Sequence, residues 1–281
     1  MTSTRHKITA LSVLVLIACS SSLRTTAQSI DLKNVSILVY TKNGKGYVHD
    51  NIASAVACIQ KLGREQGFKV DTSSSPAVFT PQNLKKYTVL LFASTNNDVF
   101  DTDEQRVAFR NYIEAGGGFV GIHSITGTER NWTWFKQMVG CSFITHPAFQ
   151  KFTVKVIAPN SPLVKGIPKI WEHEDELYFN KEWYPGITVV MADDLTTLDT
   201  ASTGVKDKSV GYYSNLYPAV WYQHFDGGNI WITALGHAKE SYTDPVFIKL
   251  ILNGIQFVAG ESKKLDFSKA YAKERDTPVK Y

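Results

Sequence analysis

Three histidines stand where apolar strands should end. His123 closes the run Gly116-Gly117-Gly118-Phe119-Val120-Gly121-Ile122-His123-Ser124, a glycine turn, a short apolar stretch and a polar pair. His49 follows the first apolar run after the leader, and His237 follows a late one in Leu235-Gly236-His237-Ala238. In an open α/β sheet, ligands bind in the crevice outside the carboxyl ends of the strands. If the three strands are parallel neighbours, their imidazoles converge. Neutral imidazole is both the commonest metal ligand and the usual general acid or base near pH 7. Two chemistries therefore stand open. His49, His123 and His237 could hold a divalent metal such as zinc or manganese, or His123 could move a proton without one. A hydrogen-bonded structural histidine is the plain alternative for any single one, and the repeated placement argues against it for all three.

A second group is the acidic run Glu172-His173-Glu174-Asp175-Glu176-Leu177-Tyr178. On a strand, Glu172, Glu174 and Glu176 share one face, and His173, Asp175 and Leu177 the other. Crowded carboxylates need solvent, a partner or a cation, so the run is either a solvated edge or part of a site, with Asp175 and Glu176 as bases. No His-x-x-x-His spacing accompanies it. His146-Pro147 and the aromatics Trp132, Trp134, Trp183, Trp221 and Tyr222 form a third group. Aromatic walls suit the C–H faces of sugar rings, but they equally suit a core, which is the better reading for Trp221 and Trp231. Tyr47, Ser124, Trp132, His146 and Tyr178 are the expected substrate contacts.

Several chemistries are excluded. No Gly-x-Ser-x-Gly elbow is present, since Ser124 follows His123 without flanking glycines, and no cysteine stands there. Neither a Walker motif nor Gly-x-Gly-x-x-Gly follows the first strand, so no nucleotide cofactor is expected. Without a basic stripe, nucleic acid is not an expected partner.

The elements that must position these residues read as an α/β alternation. Val35 to Tyr40, Phe68 to Asp71, Thr88 to Phe92 and Phe119 to Ile122 are apolar runs of strand length. Between them, His49 to Gln66 has helical spacing, and Thr102 with Gln105 makes a capping box for a helix reaching about Ala115. This pattern predicts a parallel sheet with right-handed crossovers, flanked by helices. The second half changes character. Phe152 to Val156, Lys169 to Tyr178, Ile187 to Met191, Val210 to Tyr213, Ala219 to Tyr222 and Asn229 to Thr233 are further strand-like runs, with a hairpin turn at Asp226-Gly227-Gly228. A helix from Pro245 to about Val258 follows, and residues 261–281 read as a charged, loosely packed tail.

Met1 to Lys7 is positive and Ile8 to Ala18 almost wholly apolar, the pattern of an export signal too short to span a membrane. Leu16-Ile17-Ala18-Cys19 would end it as a lipoprotein signal, 1–18, with a lipid anchor at Cys19 as the sole membrane contact. Cleavage after Ala27 would make residues 1–27 an ordinary signal peptide. Either predicts an exported protein, periplasmic or anchored at the cell envelope. The chain carries 30 Lys and Arg against 26 Asp and Glu; removing Arg5, Lys7 and Arg24 with the leader leaves 27 against 26. Cys58 and Cys141 read as small packed residues, and no disulfide framework is indicated.

The ordered set of motifs resembles the ThuA-like (trehalose utilisation) family. It comprises Val39-Tyr40-Thr41-Lys42 leading to Tyr47-Val48-His49, then 116–124, Gly140, Phe143 and His146-Pro147. It continues with Asp175 to Tyr178, Pro218 with Trp221, Leu235-Gly236-His237 and Asp244-Pro245. The resemblance runs from about Val35 to Ala259, within a domain of 30–260. It implies the flavodoxin-like fold of the class I glutamine amidotransferases, with histidine in place of the nucleophilic cysteine. It also implies a role in carbohydrate catabolism, around trehalose, related glucosides or their keto derivatives. The site carried over is His49, His123 and His237, with Asp175 and Glu176 nearby. The leading expectation is thus an exported carbohydrate-active enzyme, a hydrolase or an isomerase or lyase, with a histidine-centred, metal-assisted site and a small-molecule carbohydrate as partner. A non-catalytic sugar-binding module is the alternative, and an amidohydrolase working without cysteine a weaker third.

Overall fold

The computed structural model describes residues 30–199, 215–262 and 264–280. Apolar, β-branched runs form β1 (Ser36–Tyr40), β3 (Val89–Ala93) and β4 (Gly118–Ile122), with the more exposed β2 (Lys69–Ser73) outside them. Helix α1 (Ile52–Gln66) buries Ala55, Cys58, Ile59 and Leu62, one stripe at helical spacing, and stops at Gly67. After the single turn α2 (Pro81–Leu84), α3 (Asp103–Glu114) starts at the expected capping box of Thr102 and Gln105. Then come α4 (Thr133–Val139), β5 (Ser142–Thr145), β6 (Gln150–Val156), β7 (Ile170–Asp175), β8 (Phe179–Lys181), β9 (Thr188–Asp194), β10 (Leu216–Phe225) and β11 (Gly228–Thr233). The last helix, α5 (Pro245–Glu261), is capped by Asp244 and opens on proline.

One sheet runs β2-β1-β3-β4-β11-β10-β9-β6-β7, and β5 pairs with β8 in a separate two-stranded sheet. The pairs from β2 to β11 are parallel, and those from β11 to β7 antiparallel. The expected parallel sheet flanked by helices is present, with the antiparallel strands in the C-terminal half. Alternation sorts the core into two layers. Ile37, Val39, Val89, Leu91, Val120 and Ile122 pack in the layer that includes α1 and α5, while Leu38, Tyr40, Leu90, Phe92 and Phe119 pack in the layer with α3 and α4. Cys58 and Cys141 are buried and unbridged.

Four antiparallel steps separate β11 from β7, so β7 runs in the direction of β4 and β11 and presents its carboxyl end at the same edge. At about 4.8 Å per strand, a flat sheet would hold those ends roughly 19 Å apart. Yet the Asp175 carboxylate at the end of β7 accepts the backbone N–H of Gly236, just past β11, at 2.6 Å. The antiparallel half therefore curls back over the parallel half, and irregular register between β9 and β10 around Pro218, Val220 and Trp221 accompanies the bend.

One region differs from the sequence reading. The C-terminal segment is strapped to α3 rather than loose. The Glu114 carboxylate accepts the N–H groups of Tyr271 and Ala272 at 2.7 and 3.1 Å, and Tyr271 Oη donates to Asp226 at 2.8 Å. Charged composition suggested exposure, but these groups meet buried partners. The strand-like run at Val210 to Tyr213 and the leader with Cys19 lie outside the described residues. Among the described residues, no helix is long and apolar enough to cross a membrane.

Candidate active site

The three histidines leave parallel strands at one edge. His123 follows β4 directly, with a left-handed φ of 56° that costs about 1–3 kcal/mol in a residue with a side chain. That turn swings its fully buried ring off the strand and into the crevice. His49 lies between β1 and α1, and His237 between β11 and α5. Asn51 ties these two connections together, donating through Nδ2 to the carbonyls of Gly236 at 2.6 Å and His237 at 2.9 Å. Gly236 is at φ 114°, and a Cβ there would sit 2.8 Å from the Phe247 ring, so glycine is required for the chain to pass.

The imidazoles meet edge to edge. His123 Nε2 lies 3.2 Å from His49 Nε2 and 3.3 Å from His237 Nδ1. Glu176 joins them, with Oε2 3.1 Å from His237 Nδ1 and 3.9 Å from His123 Nε2. One ligand atom from each of His49, His123, Glu176 and His237 lies within 4.8 Å of the others. Atoms about 2.0–2.1 Å from a tetrahedral zinc lie roughly 3.3–3.4 Å apart, which the pairs at 3.1, 3.2 and 3.3 Å match closely, while the wider pairs would draw in around a cation. The ring tautomer fits too. His123 Nδ1 faces the Ala234 carbonyl at 3.0 Å and so carries the proton, leaving a lone pair at Nε2.

Electrostatics keep His49 and His123 neutral and pair His237 with Glu176. Burial, then the neighbouring histidines, push His49 down to about 3. Burial pushes His123 down to about 4, against the pull of Asp175 and the Ala234 carbonyl. Burial works against charge on His237 as well, but its hydrogen bond and pairing with Glu176 prevail and raise it. For Glu176, burial is outweighed by the hydrogen bond from His237 and the surrounding histidines, so it is held below the usual carboxylate range.

The expected site residues divide by placement. Glu176 enters the cluster because β7 ends at Asp175; the alternation that exposes Glu172 and Glu174 stops one residue short of it. Asp175, expected as a base, is fully occupied instead. Its Oδ1 accepts the N–H groups of Glu176 at 2.8 Å and His237 at 2.9 Å, and its Oδ2 that of Gly236 and His173 Nε2 at 3.0 Å. Burial opposes its charge, but these donors, His173 first, hold it ionised. Asp175 is a positioning residue that fixes the Glu176 and His237 backbones together. Ser124 stands behind His49, Oγ to Nδ1 at 3.3 Å. Tyr178 walls the cluster, its hydroxyl 3.2 Å from His49 Nε2 and its ring 4.3 Å from that of His123.

His146 lies at the mouth, Nδ1 3.5 Å from Glu176 Oε1. Tyr47 is exposed, its ring 4.8 Å from that of His49. Trp132 is a correction. It is fully buried among Phe100, Phe109, Trp134 and Phe135, its indole N–H given to the Arg275 carbonyl at 3.0 Å, and it offers no surface to a ligand. Phe149 was missed. Its exposed ring lies 5.8 Å from that of His237, and the one sequence signal was its place between His146-Pro147 and the strand-like run from Phe152.

The same arrangement of elements occurs in solved structures. The chain is similar to a ThuA-like protein from Bacteroides uniformis, 23% identical, with a TM-score of 0.69 over 86% of this chain and 98% of that one. A ThuA-like protein from Parabacteroides merdae is 20% identical, with a TM-score of 0.62 over 80% of this chain and 90% of that one. No curated protein matches the chain. The profile of the ThuA family, described as trehalose utilisation, matches residues 36–258 and so takes in every strand that delivers a histidine or Glu176, which makes this chain a member of the ThuA family.

Proposed function

We propose that this protein is an exported carbohydrate-active enzyme whose site, His49, His123, His237 and Glu176, holds a divalent metal of the zinc or manganese type. The observation that carries the reading is the convergence of four ligand atoms from four separate connections to within 4.8 Å of one another. Family membership, trehalose utilisation, supports a glucoside or a keto derivative of one as the substrate. A metal bound there supplies a Lewis acid for a sugar carbonyl or a water.

The chain's own groups supply the rest. Tyr178 and the buried rings keep water from the inner side of the cluster, so substrate enters past His237 and Glu176. Glu176 turns Oε2 to the histidines and Oε1 to His146, so it can take a proton from a substrate hydroxyl, or from a carbon beside a carbonyl, and pass it outward. The leader supports export, and mass spectrometry of the mature N-terminus separates a lipidated Cys19 from cleavage after Ala27.

Elemental analysis of protein purified without chelator or affinity metal tests the reading. Near-stoichiometric zinc or manganese, lost in His123→Ala with the fold retained, is the expected result. Metal-free protein that stays so after metals are added back overturns the metal. Sugar binding without turnover by the metal-loaded protein would make it a binding module instead.

A further inference from the structure

Large apolar side chains exposed singly are ordinary on a protein surface, so their position decides whether they matter. Among the described residues, five are exposed: Tyr47, Val48, Phe149, Ile157 and Ile170. Three of these are at the mouth of the histidine site or next to it in the chain, and its two aromatic rings each lean on a different histidine. The Tyr47 ring stands nearly perpendicular to His49 at 4.8 Å, and the Phe149 ring 5.8 Å from His237. Tyr47 is 60% exposed and Phe149 45%.

Both rings are held in place by backbone. The connection carrying Tyr47 is stitched to the residues after β3. Gly44 N–H donates to the Asn96 carbonyl at 2.8 Å, Asn97 Nδ2 to that of Lys45 at 3.1 Å, and Asn96 Nδ2 to that of Tyr47 at 3.3 Å. A Cβ on Gly44 would lie 2.6 Å from the Asp98 backbone, so this approach is closed to other residues. Phe149 directly precedes Gln150, the β6 partner of Asp175, which fixes it beside Glu176.

We propose that Tyr47 and Phe149 are the stacking platform for a pyranose ring, and so determine which ligands the site accepts. The inference rests on the carbohydrate reading above. A pyranose combines an apolar C–H face, which packs on the aromatic rings, with hydroxyls that donate to Glu176 and meet His146 and His237. The two exposed rings set the ligand class as a glycoside that offers such a C–H face.

The test is calorimetric titration of the mature protein with trehalose and with methyl α-D-glucopyranoside, in wild type, Tyr47→Ala, Phe149→Ala and Tyr47→Phe. Both side chains are exposed, so the variants should keep the fold and the metal content, checked by circular dichroism and elemental analysis. Each alanine change should weaken sugar binding roughly tenfold, as loss of one ring contact of this kind does, and Tyr47→Phe should restore it. Sugar binding that survives both alanine changes overturns the platform and leaves the carbohydrate reading standing. Weak binding in Tyr47→Phe would mean that the hydroxyl, not the ring face, makes the contact. Wild-type protein that binds neither sugar overturns the carbohydrate reading and the platform with it.

Discussion

His123 Nδ1 lies 3.0 Å from the carbonyl oxygen of Ala234, so the residue that follows β11 sets the tautomer of the central histidine. A second proton on that ring would go to Nε2, against His49 and His237 at 3.2 and 3.3 Å. The depressed values of His49 and His123, about 3 and about 4, follow from burial and this crowding.

These shifts make the metal-free protein acid-sensitive. Unfolded histidines bind protons below about pH 6.5, while His49 and His123 in the folded state do not until about pH 4 or lower. The unfolded state therefore holds more protons in that window, and stability falls with falling pH by up to about 1.4 kcal/mol per unit for each ring. His237 runs the other way; its raised value adds stability that is complete below about pH 6.5 and fades above. Urea midpoints of chelator-treated protein at pH 7 and pH 5 should show a clear loss at the lower pH. In His49→Gln the net loss should fall by half or more, because the opposing His237 contribution remains; an unchanged slope would refute the assignment.

Asp175→Asn tests the clamp. Each carboxylate oxygen now takes two donors, and an amide nitrogen in place of either would face N–H groups. Leaving buried donors unmet costs about 1–3 kcal/mol each. Stability should fall by that order, and metal affinity, measured by competition with a chelator, by about 10–100-fold. A variant that loses stability but binds metal as tightly as wild type would confine Asp175 to folding.

Asp193 offers the opposite sign. Its buried Oδ1 meets no hydrogen-bond partner among the described residues, and burial, then the charge of Asp175, pushes its carboxyl well above the usual range. The folded state thus keeps a proton that the unfolded chain gives up above about pH 4, and stability drains away as pH rises through that window. Asp193→Asn should raise the melting temperature at pH 8, by an amount worth at least about 1 kcal/mol, and much less at pH 4.

Arg110 anchors the C-terminal strap. Fully buried, it donates to Glu114 at 2.8 Å and also reaches Asp226 and the carbonyls of Arg275 and Thr277. Arg110→Ala leaves two buried carboxylates short of a cation, which costs about 3–5 kcal/mol. Limited proteolysis should then release the segment after residue 262, far more slowly in wild type.

The histidines were legible because an apolar run, a glycine turn and a polar residue mark a strand end in the sequence itself. Glu176 was only half legible. Period-two alternation grouped it with Glu172 and Glu174 on one face, and nothing local says that the ladder stops at Asp175. Trp132 was misplaced because composition cannot tell a sugar-facing indole from one closing a core. The strap over α3 and the short β5–β8 pair depend on partners distant in the chain, as does the curl that brings β7 to β11.

The order of that sheet has a consequence for synthesis. β4 is wholly apolar, and its outer neighbour β11 leaves the ribosome about a hundred residues later, so β4 waits with one edge open to pairing with another chain. The parallel half can assemble early, but it stays unsealed until the hairpin of β10 and β11 arrives. Expression yield should therefore depend on holding nascent chains apart during that interval, by slower synthesis or by a chaperone that covers the edge.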